Sequence, residues 1–127
     1  MVRNRNYHQG KLAEQTACAY LQKSGLTLLQ SNYHCRYGEI DLIMKDKIEI
    51  IFVEVRKRNR IDFGNAIESI TIHKQQKLIK TAVHFLQHHN WLYRKPSRFD
   101  IVAIHPIDGT MQLEWIKNAF IIENLTI

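Results

Sequence analysis

Tyr37-Gly-Glu-Ile-Asp-Leu-Ile-Met-Lys-Asp-Lys-Ile-Glu-Ile-Ile-Phe-Val-Glu-Val-Arg56 decides how this chain folds. Its apolar runs, around Ile40 to Met44 and Ile50 to Val55, read as two β-strands joined by a tight turn at Asp46-Lys47. Near-continuous apolar runs belong to strands buried on both faces of a sheet. Asp41 and Glu54 interrupt those runs, and a carboxylate inside such a strand is desolvated unless something compensates for it. Two of them on neighbouring strands point to a divalent cation, which offsets both charges and also performs chemistry.

With a loop of two or four residues symmetric about Asp46-Lys47, Glu39 pairs across from Glu54 and Asp41 across from Phe52. Strand alternation then places Glu39, Asp41, Glu54 and Arg56 on one face, with Asp41 and Glu54 as diagonal neighbours. A slip of one residue would divide them between faces. The competing reading is an ordinary hairpin with one polar, solvated side. Ile43, Ile50 and Phe52 share the acidic face and count against it.

A chain of 127 residues with 45% hydrophobic content is expected to form a single domain with its own core. The formal charge of +6 favours a polyanionic partner, nucleic acid first among them. No apolar run reaches the length of a membrane span, and Met1-Val-Arg-Asn-Arg-Asn lacks the apolar centre of a signal peptide. Cys18 and Cys35 do not make a disulfide framework and read as small, reduced core residues. These features together lead us to expect a cytoplasmic protein with no membrane association.

Residues 1–9 read as a flexible basic arm, followed by a helix over Lys11 to Ser24 that Gly25 terminates. Glu14 lies at the edge of that helix's apolar stripe, either snorkelling to water or leaning toward the acidic strands as a third acid. Leu26 to Asn32 reads as a strand, and Asn32 to Gly38 as an irregular connector. After the hairpin come Arg56, Lys57, Arg58 and Arg60, a cationic run placed to attract phosphates. A second helix spans Ile72 to His89, with Lys74, Lys77, His84 and His88 on a cationic face. His84 and His88 have the spacing of a zinc pair but lack a third ligand. Arg98 to His105 and Met111 to Ile116 read as strands around a turn at Pro106 to Gly109, and Lys117 to Ile127 has no clear pattern. The order αβββ-α-ββ predicts an α/β fold, with a mixed sheet flanked by helices.

Phosphodiester hydrolysis gains from a divalent metal and from a cation near the developing charge. Magnesium is content with one or two carboxylates and several waters. Asp41 and Glu54 supply the carboxylates, Arg56 the cation, and Glu14 a further acid; phosphates would approach along Arg56 to Arg60 and the Lys74/Lys77 face.

The combination Gly10-x-x-x-Glu14-x-x-Ala17, Gly38-Glu-Ile-Asp-Leu-Ile43, Phe52-Val-Glu-Val-Arg56, Phe63-Gly64, Lys74 and Arg98-Phe-Asp100 closely resembles the small YraN-like family of bacterial proteins, over almost the whole chain. That family looks like a branch of the PD-(D/E)XK nuclease superfamily and is similar in fold to archaeal Holliday-junction resolvases. The resemblance implies a restriction-endonuclease-like core with a mixed sheet of about five strands, and an endonuclease acting on DNA, branched DNA included. It implies Mg2+ or Mn2+ held by Asp41, Glu54 and Glu14, and it makes a homodimer plausible; Glu39 is a supporting acid by its place on the same strand face. One position departs from the superfamily pattern, because its E-x-K lysine is Arg56 here. Arginine stays charged and cannot carry protons as lysine can. Three readings stand open: Arg56 suffices, Lys74 reaches in from the second helix, or the protein binds nucleic acid without cutting it.

Overall fold

A computed structural model describes the backbone of residues 2–57 and 70–120, with side chains described throughout except at 2–9 and 107. The elements are α1 (Val2–Lys23), β1 (Thr27–Cys35), β2 (Gly38–Asp46), β3 (Glu49–Lys57), α2 (Ile72–His88), β4 (Ser97–Ile107) and β5 (Thr110–Phe120). The strands lie in one five-stranded sheet in the order β1-β2-β3-β4-β5. Every neighbouring pair is antiparallel except β3 with β4, which run parallel. A parallel pair needs a crossover, and α2 falls within it. The mixed sheet flanked by helices is as the element pattern predicts.

The apolar stripes decide which face each helix covers. Leu78, Ala82, Phe85 and Leu86 of α2 pack on Ile43, Ile50, Phe52, Phe99, Ile101 and Ala103, and Trp91 joins that layer from its edge. Ala13, Ala17 and Leu21 of α1 pack on the alternate residues Leu42, Met44, Ile51, Val53, Val102 and Ile104, with Trp115 alongside. Ile50 to Val53 are buried on both sides, which explains why β3 reads as an unbroken apolar run.

Helix boundaries follow local chemistry. Leu26 N–H bonds Leu21 O at 3.1 Å and Gly25 N–H bonds Gln22 O at 3.0 Å, while Gly25 takes φ 102°. That pattern is a Schellman stop, closed by the buried Leu26. Thr71 caps α2 by accepting from Lys74 N–H at 3.1 Å. The first helix, α1, starts at Val2 rather than Lys11, so residues 2–9, expected as an arm, have helical backbone. Their polar side chains gave no apolar period from which to read a helix, although nothing among them breaks one.

Strand boundaries extend beyond the expected ones in the same way. β1 continues through the expected connector to Cys35, and β5 continues through Lys117 to Phe120. The hairpin turn also moves. Asp46 pairs with Glu49, so the turn residues are Lys47 and Ile48, with Lys47 at φ 57°. Ile48 is 66% exposed at the tip, and its apolar character disguised the turn as strand. Moving the turn by one position moves every partner by two, which preserves the faces.

Candidate functional site

The β2–β3 register runs from Asp46↔Glu49 to Leu42↔Val53; one step further it sets Asp41 opposite Glu54. The expected diagonal pair is therefore a direct cross-strand pair. Asp41 Oδ2 accepts from the Val55 backbone N–H at 2.8 Å, tying the two strands together where the ladder ends. Glu54 is 5% exposed. Burial first, then the charge of Glu54 and a hydrogen bond with it, push the Asp41 carboxyl up to about 8. The Val55 N–H opposes this shift, and Glu14 adds a smaller upward push.

Lys74 comes to the same place from α2. Its Nζ lies 2.9 Å from Glu54 Oε2. Thr71 starts the helix three residues earlier, so Lys74 sits in the first turn, facing the sheet. Gly38 lets α2 come close: a Cβ there would lie 3.2 Å from Thr81 Oγ1 and 3.9 Å from Lys77 Cβ. The result is a cavity of about 360 Å³ lined by Asp41 and Glu54 on one wall and His73, Lys74 and Lys77 on the other, with Glu39 at its exposed rim. One ammonium offsets one of the two carboxylates, and burial beside Glu54 favours the protonated form of Asp41.

That donor set fits a hard divalent cation. Two adjacent carboxylates are what magnesium or manganese takes from a protein while keeping waters. Burial first, and then the neighbouring Glu54 charge, disfavour ionised Asp41, and a bound cation would relieve both. Among the described residues, no three His, Cys, Asp or Glu side chains converge to hold a metal.

Glu14 is therefore not brought into the pair. It lines a separate cavity of about 180 Å³ with Lys11, Cys18, Ser31 and Asn32. Asn32 Nδ2 donates to Glu14 Oε1 at 2.9 Å, and Lys11 Nζ donates to Asn32 Oδ1 at 2.6 Å. Arg56 follows Glu54 on the same face of β3 and is half-buried, while Lys57 is exposed at the strand end. Arg58, Arg60, Phe63 and Gly64 lie outside the described residues. His84 Nδ1 shares a hydrogen bond with the Tyr33 hydroxyl, while His88, one turn on, is exposed. Cys18 and Cys35 are free thiols, both half-buried.

A family profile matches residues 13–104, a span that holds Asp41, Glu54 and Lys74. The chain belongs to the Uncharacterised protein family UPF0102. It is 50% identical over 116 residues to a UPF0102 protein of Nitrosococcus oceani, covering 91% of this chain and 94% of that one. A UPF0102 protein of Legionella pneumophila is 46% identical over 113 residues, covering 88% and 93% of the two chains. One from Coxiella burnetii is 48% identical over 111 residues, covering 87% and 90%.

The UPF0102 span also contains a carboxylate with a different task. Asp100 is fully buried on the α1 side of the sheet. It accepts from Arg98 Nε at 3.0 Å, Trp115 Nε1 at 2.9 Å and Asn118 N–H at 3.0 Å. Arg98 in turn bonds Glu49 at 2.8 Å. Burial alone would lower the Arg98 pKa, but the Asp100 carboxylate, with Glu49 and Asp46, more than offsets this and raises it. Both Asp100 oxygens accept from these donors, so the clamp joins β3, β4 and β5. Sequence reasoning missed two further residues at the first site. His73 is a cavity wall whose only signal is its place beside Lys74, and Gly38 acts through the approach of α2.

Proposed function

We propose that this protein is a Mg2+- or Mn2+-dependent endonuclease of the PD-(D/E)XK type that cuts DNA, branched DNA included. The carrying observation is the buried Asp41–Glu54 pair with Lys74 Nζ at 2.9 Å from Glu54, in a cavity whose other wall is cationic. When bound, the metal supplies the positive charge that polarises a phosphate and acidifies a water. Asp41 and Glu54 hold it. Lys74 takes over the place of the lysine that the E-x-K position lacks: an amine beside the acid pair can orient water and hold or release a proton, as arginine cannot. Arg56, on the same face, stabilises charge developing on the phosphate. Lys57 and Lys77, with Arg58 and Arg60 by their place in the sequence, attract the phosphate backbone. Glu14, which exerts a weak field on Asp41, supports the site from the other face through its charge. A homodimer and a cytoplasmic location complete the reading. Among the described residues no helix is long and apolar enough to cross a membrane.

The second reading, a catalytically silent module that binds nucleic acid through its basic surface, rests on Arg56 standing where a lysine is expected. The contact between Lys74 and Glu54 weighs against it. Cleavage of labelled four-way-junction, flap, single-stranded and linear duplex DNA with magnesium or manganese separates the two. The expected result is cleavage by the wild type that vanishes in Asp41→Ala protein from a parallel preparation. Identical traces from both proteins, with DNA still bound, would establish the silent module.

A further inference from the structure

The turn between β1 and β2 carries a cluster of planar side chains that the proposed chemistry does not use. Cys35 pairs with Gly38, so Arg36 and Tyr37 form the tip of a two-residue turn, and Gly38 itself borders the acidic cavity. The Tyr37 ring is half-buried and meets the His84 ring at 6.4 Å between centroids, with planes 69° apart. His84 is fixed in turn by its hydrogen bond with the Tyr33 hydroxyl, and Tyr33 stacks on the core residue Phe85 at 5.2 Å. The Arg36 guanidinium, exposed, lies 4.8 Å from the Tyr37 centroid and donates from Nη2 to the Tyr37 hydroxyl at 2.7 Å.

The group has three properties that matter together. It is rigidly backed, because its rings trace through His84 and Tyr33 to the core. It is cationic at its exposed end. It also sits beside the proposed cutting site: Lys77 lines the cavity, and His84 lies on α2 seven residues later, about 10 Å along the helix axis at 1.5 Å per residue. Rings and guanidinium planes at the end of a phosphate-attracting surface are how proteins hold bases that have left a duplex, since any base offers a π-face. A base inside a continuous duplex is already stacked on its neighbours and has no face to present.

We propose that Arg36, Tyr37 and His84 form a stacking subsite for an unpaired base flanking the phosphate that enters the cavity lined by Asp41, Glu54, Lys74 and Lys77. This rests on the nucleic-acid reading above and narrows its substrate class. The preferred substrate carries a single-stranded segment next to the cut, as a flap or a strand end does, and uninterrupted duplex is a poor one. Base identity matters little, because stacking reads no hydrogen-bonding edge.

The test is equilibrium binding, measured by fluorescence anisotropy in EDTA so that nothing is cut. The ligands are one labelled duplex and the same duplex bearing a single-stranded flap. Wild type should bind the flap more tightly. Tyr37→Ala should weaken flap binding about ten-fold, within the span of one lost stacked base, and change duplex binding by less than about two-fold. Tyr37→Phe, which keeps the ring, should bind as wild type does. Arg36→Ala alters an exposed side chain and so guards against a folding failure at Tyr37; it should also reduce the flap preference. Equal weakening of flap and duplex by Tyr37→Ala, or no change in either, would overturn the subsite. A flap preference lost in Tyr37→Ala, in a protein whose wild type never cuts DNA with metal, would uphold the subsite and remove the nuclease reading alone.

Discussion

Asp41→Asn should abolish a pH dependence of stability that the wild type carries. The substitution preserves shape, keeps an oxygen for the Val55 N–H and offers Glu54 an amide donor where Asp41 offers its proton. In the folded metal-free protein the Asp41 carboxyl is pushed up to about 8, against an ordinary value near 4 in the unfolded chain. A raised folded pKa means that folding takes up a proton. The resulting stabilisation is complete below about pH 4 and is lost as pH rises through about 8. Between pH 5 and pH 7 the slope is about 1.4 kcal/mol per unit, so the wild type should lose roughly 3 kcal/mol relative to the variant. For a domain of this size that is on the order of 10 °C in Tm. Urea denaturation followed by circular dichroism, in EDTA at pH 5, 6, 7 and 8, measures the difference directly. Wild-type and variant curves that run parallel across this range would refute the desolvated, like-charged pair. At pH 8 added magnesium should stabilise the wild type and leave the variant unmoved, because a divalent cation replaces the proton.

Other expectations follow from the same geometry. Lys74→Ala should reduce metal-dependent cleavage by about a hundred-fold or more while Arg56→Lys retains it, as read from single-turnover rates on a flap substrate. An unimpaired Lys74→Ala protein would return the role to Arg56. Asp100→Ala should cost about 3–5 kcal/mol in chemical denaturation, because it leaves the 13% exposed Arg98 guanidinium with Glu49 alone and removes the acceptor of Trp115 Nε1 and Asn118 N–H. Gly38→Ala should destabilise by about 1–3 kcal/mol through the 3.2 Å approach of its new Cβ to Thr81 Oγ1, and by less in a Thr81→Ala background. Lys77→Gln should lower the slope of log binding constant against log salt by about one on duplex DNA.

Much of this architecture was legible in the chain because burial imprints itself on the residue pattern. β3 is apolar at every position from Ile50 to Val53, and α2 shows its stripe at Leu78, Ala82 and Phe85. The acids stood out for the opposite reason, as polar residues where the pattern demanded none. Register was harder. Nothing in Asp46-Lys47-Ile48 says which residue takes the left-handed conformation, yet face membership survived because the error was two residues in pairing. Distances between elements were not legible at all. That Lys74 meets Glu54, and that Glu14 turns to Asn32 instead of the pair, depends on how each helix settles on its own face of the sheet. The α1 start and the ends of β1 and β5 were hidden because their sequences carry no regular apolar period.

The sheet separates two hydrophobic layers, and the chain's two tryptophans fall one in each. Trp91 sits against Phe85 in the α2 layer, 5.9 Å between centroids. Trp115 lies in the α1 layer, edge-on to Tyr20 at 6.3 Å and hydrogen-bonded to Asp100. Each is thus an optical reporter for one half of the core. Replacing either with phenylalanine leaves a single emitter, so the loosening of the layer beneath the proposed catalytic wall can be watched apart from that of the opposite layer. Superimposable fluorescence transitions from the two proteins, after allowance for each substitution's own cost, would mark the sheet as one cooperative unit rather than two leaves that open in turn.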